Sequence, residues 1–347
     1  MEMALYYPGL GYYTKETATI GKKGDFYTSP HLHPVFGMML GKQMQEMWES
    51  MGKPEDFQIM EMGAGMGYLA RDMLDYLQTT GLFRHLSYTI VEMNPSVAAR
   101  QQELLSGFSG IVRWVGHPGE AAGITGCIVS NELLDAFPVR LVEMDDEVME
   151  VFVTEKEGEL AELNKKAAPE VLTYLSEFAP DLPKGYRTEV NLRIREWLAG
   201  ISSQLVRGFI LTVDYGYSAK DYYSEDRSTG TLLCYYRHQI NETPYQHIGE
   251  QDMTAHLNFS SLAKWGQDNS FKTIGFSSQG TYLVSLGIDR AITELYGDAP
   301  DPFELAKIKG LIFPQGMGES HQVMVQYKGK GAPVLRGFAL RNRKAGL

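Results

Sequence analysis

Cysteine is nearly absent: Cys127 and Cys234 are the two in a chain of 347 residues, far apart and in no C-x-x-C pattern. That excludes a disulfide framework and a cysteine zinc site, and makes a reducing compartment the expected setting. Long apolar runs are also missing. None approaches the roughly 18 to 20 residues needed to cross a bilayer, and no basic stretch followed by an apolar one opens the chain. The expectation is therefore no membrane span and no targeting segment, with a cytoplasmic location in a bacterium or an organelle matrix in a eukaryote. Positive charge is short as well. With 32 Lys and Arg against 43 Asp and Glu, the formal net charge is -11. Such a balance disfavours general nucleic-acid binding and fits a basic partner better. No G-x-x-x-x-G-K-[ST] stretch occurs, which argues against a P-loop nucleotidase. The sequons at Asn241 and Asn258 read as chance matches without a secretion signal.

What is present reads as a soluble α/β protein, 44% hydrophobic and 22% charged, large enough for one decorated domain or two smaller ones. Short apolar runs alternate with helical patterns, as in a parallel sheet with crossover helices. Strands are expected at Phe57–Met62, Ser87–Glu92, Ile111–Val115 and Gly126–Ser130, with a helix at Tyr68–Leu77 and another opening at Pro95. Before them, Phe36, Leu40, Met44, Met47 and Met51 make a helical apolar stripe that should dock on the sheet. The expected organisation is an N-terminal segment (1–56), a Rossmann-like half (57–140), an insertion (141–207) and the second half of the core with covering loops (208–347). The insertion reads as a charged hairpin at Val142–Val153 and then two helical stretches. Buried strands resume at Gly208–Asp214, Lys272–Phe276 and Gln322–Tyr327.

The chemistry centres on Glu61-Met62-Gly63-Ala64-Gly65-Met66-Gly67. A strand followed by closely spaced glycines and a helix lets the backbone approach a ligand without an intervening side chain. Glu92, at the end of the second strand, can accept from both ribose hydroxyls of an adenosine group. A dinucleotide fingerprint needs glycine where Tyr68 stands, so the spacing fits E-x-G-x-G-x-G of an S-adenosylmethionine (SAM) site better. The fold class expected is a class I SAM-methyltransferase sheet flanked by helices, with an N-terminal extension and an inserted hairpin and helical subdomain.

Ligands of open α/β sheets sit beyond the carboxyl ends of the strands. After the fourth strand these residues are Asn131-Glu132-Leu133-Leu134-Asp135-Ala136-Phe137-Pro138. Methyl transfer is an in-line displacement in which alignment and charge placement matter most. Asn131, Glu132 and Asp135 are the candidate catalytic residues. Should the acceptor be a guanidinium, whose pKa exceeds about 12, carboxylates would have to orient it and take its proton. The plainer alternative is that Glu132 is solvated and Asp135 caps a turn. Asp214 and Tyr215 end another strand on the same edge and are secondary pocket candidates.

These motifs resemble the MidA-like family, which includes the mitochondrial complex I assembly methyltransferase. The resemblance runs from Leu5-Tyr6-Tyr7-Pro8-Gly9 through Gly24-Asp25-Phe26-Tyr27-Thr28-Ser29-Pro30, its most diagnostic segment, then the glycine loop and Asn131–Pro138. It continues in Asp214-Tyr215-Gly216, Tyr236-Arg237-His238 and Asp252–Phe259. It implies a SAM-dependent protein arginine methyltransferase whose partner is a protein substrate, for mitochondrial members a respiratory complex I subunit. It also implies that Thr28, Ser29 and Pro30 fold over the cofactor pocket, joining Glu61, Gly63, Ala64, Gly65, Gly67, Glu92 and Asn131 as cofactor-binding residues. Two departures stand out. The helical stretch that usually precedes the Leu-Tyr motif is absent, which suggests a truncated or late start, and Ser224–Thr229 is unlike the usual loop.

Further candidates carry weaker signals. His31 and His33 form an H-x-H pair with no acidic or cysteine partner in view, so no metal is expected. Arg237, His238 and His256 lie in loops able to cover the pocket, and the tyrosines at 215, 217, 222, 223, 235 and 236 could line it or merely pack. Two other functions compete with protein methylation: a non-enzymatic assembly protein retaining the cofactor fold, and a small-molecule methyltransferase. The oligomeric state is not legible.

Overall fold

Phe57, Ile59, Met60 and Met62 are buried on both faces of β1 (Phe57–Met62), the pattern of a central parallel strand. The computed structural model describes residues 1–15, 28–121, 123–297, 299 and 301–347. The motif residues Gly24 to Tyr27 lie outside the described residues. Along the chain, α1 (Glu2–Tyr6), α2 (Ser29–Leu32) and α3 (Val35–Ser50) precede β1. Then follow α4 (Tyr68–Leu77), β2 (Leu86–Val91), α5 (Pro95–Leu104), β3 (Val112–Val115) and β4 (Ile124–Asn131). The stripe expected before β1 is the buried face of α3, where Phe36, Leu40, Met44 and Met47 are inaccessible to solvent. Glycines at 37 and 41 let α3 close on Asp72 and Tyr76 of α4.

The chain then leaves the sheet for β5 (Arg140–Met144), β6 (Val148–Lys156), β7 (Glu159–Lys166), α6 (Pro169–Phe178), β8 (Arg187–Val190) and α7 (Arg193–Gln204). The four strands form a separate antiparallel sheet in the order β7-β6-β5-β8. Both expected helices are there, but β7 and β8 were not foreseen. Only two residues, Glu157 and Gly158, both at positive φ, join β6 to β7. This is the tight loop that matches strand twist. A glutamate in its first place hid the turn, and β7, an edge strand with mostly exposed residues, shows no apolar alternation.

The main sheet resumes with β9 (Leu205–Tyr217), followed by α8 (Ala219–Tyr222) and a small sheet of β10 (Leu233–Tyr236), β11 (Gln239–Asn241) and β12 (Asp252–Thr254). The remaining elements are β13 (Leu257–Asn258), α9 (Phe259–Asp268), β14 (Lys272–Ser278), α10 (Gln279–Ser285), α11 (Ile288–Tyr296), α12 (Pro302–Ile312) and β15 (His321–Lys328). Strand order is β14-β15-β9-β4-β1-β2-β3, with β13 beside the end of β9. Pairing is parallel from β9 to β3, whereas β15 runs antiparallel to both β9 and β14. The carboxyl ends of β1, β2, β3, β4 and β9 therefore share one edge, and the amino end of β15 meets them there: His321 pairs with Tyr215.

Candidate active site

A cleft of about 670 Å³ opens along that edge. Its floor is the loop between β1 and α4. Gly63 and Gly65 have φ of 70° and 53°, and Gly67 caps α4 at φ 83°. A Cβ on Gly63 would lie 2.9 Å from Leu133 Cδ1 and push that side chain aside, and the positive φ favours glycine there as well. Glu61, Gly63, Ala64 and Gly65 line the cleft, as do Glu92, Asn131 and Glu132.

Glu92 follows β2 and is held from two sides. Its Oε1 accepts from the Asn94 backbone N–H at 2.8 Å, and its Oε2 accepts from Gln101 Nε2 at 3.1 Å. Each carboxylate oxygen keeps a further lone pair for a ribose hydroxyl. Burial raises the Glu92 carboxyl above its ordinary range, and the Asn94 and Gln101 donors pull it back. The same Gln101 amide donates to Gly65 O at 2.8 Å, and its oxygen accepts from Trp114 Nε1 at 3.0 Å. Glu61 lies deeper. Tyr88 Oη donates to it at 2.6 Å, and burial pushes its carboxyl up to about 7. Asn94 also donates from Nδ2 to the backbone oxygens of Tyr13 and Lys15, which fastens the N-terminal segment over the cleft.

Beyond β4, the backbone of Glu132 is in the left-handed region at φ 50°. For a glutamate this costs of order 1–3 kcal/mol and is found where surrounding contacts over-determine the residue. Those contacts are visible. The Glu132 N–H donates to Val213 O at 2.8 Å, and its Oε1 lies 3.2 Å from Asn131 Nδ2, 3.4 Å from Ser29 N and 3.4 Å from His321 Nε2. Asp214 braces the same turn from β9: its carboxylate accepts from the backbone N–H of Leu133, Leu134 and Tyr215.

Of the acids expected to form the acceptor site, Glu132 alone is on the cleft wall; Asp135 and Asp214 are buried behind it. Burial, then the charges of Asp214, Glu132 and Asp252, push the Asp135 carboxyl well above the usual range. Burial and Glu132 raise Asp214 to about 8. Thr28 and Pro30 line the cleft, while Ser29 sits just behind, its hydroxyl on Gln279 Oε1 at 3.0 Å. Tyr215 packs its ring between His321 (centroids 4.0 Å apart) and His256 (5.9 Å), behind Glu132 rather than in the cleft. Burial, followed by the charge of Arg227, lowers His256 to about 4.

Arg237 and His238 are elsewhere. They form the exposed turn between β10 and β11, at φ 49° and 63°, and neither lines the cleft. His31 is on the cleft wall with Nδ1 2.6 Å from Thr28 Oγ1, whereas His33 turns away to Tyr296 Oη at 2.7 Å. Sequence reasoning missed Gln101, Asn94, Tyr13 and His321. Asn94-Pro95, a capping residue before a helix-opening proline, was a usable signal for Asn94. Gln101 looked like any polar residue of an amphipathic helix.

The residues present fit a SAM-like cofactor. A loop with glycines at 63 and 65 faces the cleft, a carboxylate with spare acceptor capacity stands one strand over, and Asn131 and Glu132 line the same cleft. The comparisons agree. The family described as "Putative S-adenosyl-L-methionine-dependent methyltransferase" matches residues 39–277. A COG1565 superfamily protein from Burkholderia thailandensis, solved bound to S-adenosyl-homocysteine (SAH), superposes with a TM-score of 0.88 at 30% identity, covering 100% of this chain and 90% of that one. The mitochondrial protein arginine methyltransferase NDUFAF7 of Mus musculus is 28% identical over 92% of this chain and 78% of its own length. Its Homo sapiens counterpart is 25% identical over 92% and 77%. The fold is that of a SAM-dependent methyltransferase, SAM is the cofactor, and the chain belongs to the MidA-like family of SAM-dependent methyltransferases.

Proposed function

We propose that this methyltransferase acts on arginine side chains of a protein, with a respiratory complex I type subunit as the first acceptor to examine. The observation that carries this reading is Glu132. A carboxylate stands on the cleft wall beside the cofactor loop, held in a strained backbone with its contacts gathered on one oxygen. The names of the mitochondrial relatives support it.

A guanidinium enters protonated and must be both oriented and relieved of a proton. Glu132 Oε2 is the oxygen left to do both, with Asn131 beside it; Asp135, held toward the protonated form by burial and its acidic neighbours, stays behind the wall, and Asp214 keeps the turn in shape. SAM supplies a methyl group on a positively charged sulfur. When bound it would give that methyl to the acceptor nitrogen, the C–S electron pair staying on sulfur, while Glu132 takes the nitrogen's proton. Tyr215 and His256 form the wall behind that carboxylate. Residues 141–207 belong to this reading as an insertion that brings Arg193, Glu196 and Trp197 to the mouth of the cleft, between the cofactor half at 57–140 and the second half at 208–347.

The test is methyl transfer from labelled SAM to purified complex I subunits and to whole lysate, followed by acid hydrolysis. Methylarginine in a discrete protein band is expected. Glu132→Gln should lower its formation about 100-fold or more with SAH still bound. Label only in small molecules, or in a residue other than arginine, would overturn the reading.

A further inference from the structure

His321 stands outside every motif considered above, yet it reaches the site from a strand that contributes nothing else to it. It is the first residue of β15, the strand antiparallel to its neighbours, and it is fully buried. Its Nε2 lies 3.4 Å from Glu132 Oε1, in ion-pair range without closing a hydrogen bond; its Nδ1 lies 3.1 Å from Ser320 Oγ. We propose that His321 is a positioning residue for methyl transfer: it holds Glu132 Oε1, so that Oε2 is presented to the acceptor. This rests on the reading that Glu132 receives the acceptor's proton.

The geometry behind it is convergent. The three groups near Glu132 Oε1 come from distant parts of the chain: Asn131 from the end of β4, Ser29 from α2 and His321 from β15. Of the polar contacts found for the Glu132 side chain among the described residues, all fall on Oε1. A carboxylate fixed through one oxygen has its rotamer set, and the other oxygen then points in a defined direction. The ring of Tyr215, 4.0 Å away by centroid, in turn fixes the imidazole plane.

The test compares His321→Leu, His321→Gln, Glu132→Gln and the His321→Leu/Glu132→Gln pair. Each is assayed with labelled SAM against the protein acceptor, for SAH affinity by calorimetry, and for unfolding in urea. In His321→Leu, kcat should fall about tenfold or more, with SAH affinity unchanged within about twofold. His321→Gln, whose amide can still donate to Oε1, should recover most of that loss. In the Glu132→Gln background the leucine substitution should add no further loss. A full second loss there, or a glutamine variant as impaired as the leucine one, overturns the proposal. A wild type that labels a residue other than arginine overturns the arginine reading alone, because the cycle is then read on that acceptor. A wild type that labels nothing leaves the cycle to urea unfolding, where strictly additive effects overturn the pairing.

Discussion

Gln101 joins the two halves of the cofactor cleft: its Nε2 donates to Glu92 Oε2 at 3.1 Å and to Gly65 O at 2.8 Å. The residue is fully buried, so this bridge is shielded from competing water. Gln101→Leu removes both donations and the acceptor for Trp114 Nε1. At about 0.5–1.5 kcal/mol net for each lost bond, SAH affinity should fall about 10-fold or more. Calorimetry checks this, and an unchanged dissociation constant in a folded variant would remove Gln101 from the cofactor site.

Gly63 disfavours a side chain, because the residue sits at φ 70° and a Cβ would stand 2.9 Å from Leu133 Cδ1, which would have to shift. Gly63→Val should abolish SAH binding at concentrations that saturate the wild type. Circular dichroism should show the sheet intact, since the loop lies at its edge. Full binding by this variant would be incompatible with the loop as described.

Asp214 braces the turn that carries Glu132 without lining the cleft. Asp214→Ala leaves the buried N–H of Leu134, and those of Leu133 and Tyr215, without their carboxylate partner. A loss of about 1–3 kcal/mol for the buried group is expected in urea unfolding. Methyl transfer should fall further than stability alone explains, because Glu132 loses its brace. Wild-type stability in Asp214→Ala would contradict this role.

Glu61 makes stability fall as pH rises. Its carboxyl, ordinarily at 4.5, is raised to about 7 by burial, against the opposing pull of the Tyr88 hydroxyl. Below the ordinary value both folded and unfolded chains hold the proton, and between the two values only the folded chain does. The contribution is thus complete at acid pH, declines through that window and is gone above it. Relative to Glu61→Gln, the wild type should lose up to about 3 kcal/mol across the window. Parallel urea midpoints from pH 4 to 8 for the two proteins would show that no such shift exists.

The sequence by itself determined the elements whose signal is local. The glycine loop was legible because sharp turns between a strand and a helix demand residues that tolerate positive φ, and Gly63, Gly65 and Gly67 all adopt it. The buried strands and the α3 stripe were legible because periodic burial imprints itself on residue order. The turn at Glu157–Gly158 was not, since two exposed residues carry no hydrophobic pattern. Tertiary structure decided which acids face the cleft. Glu132, Asp135 and Asp214 look alike in a sequence, yet packing of β4 against β9 leaves the first on the wall and buries the other two. It also decided that His321 and Gln101 belong to the site. Their roles depend on where β15 and α5 come to rest against distant segments, and a buried side chain acquires its function from neighbours that its own stretch of sequence does not contain.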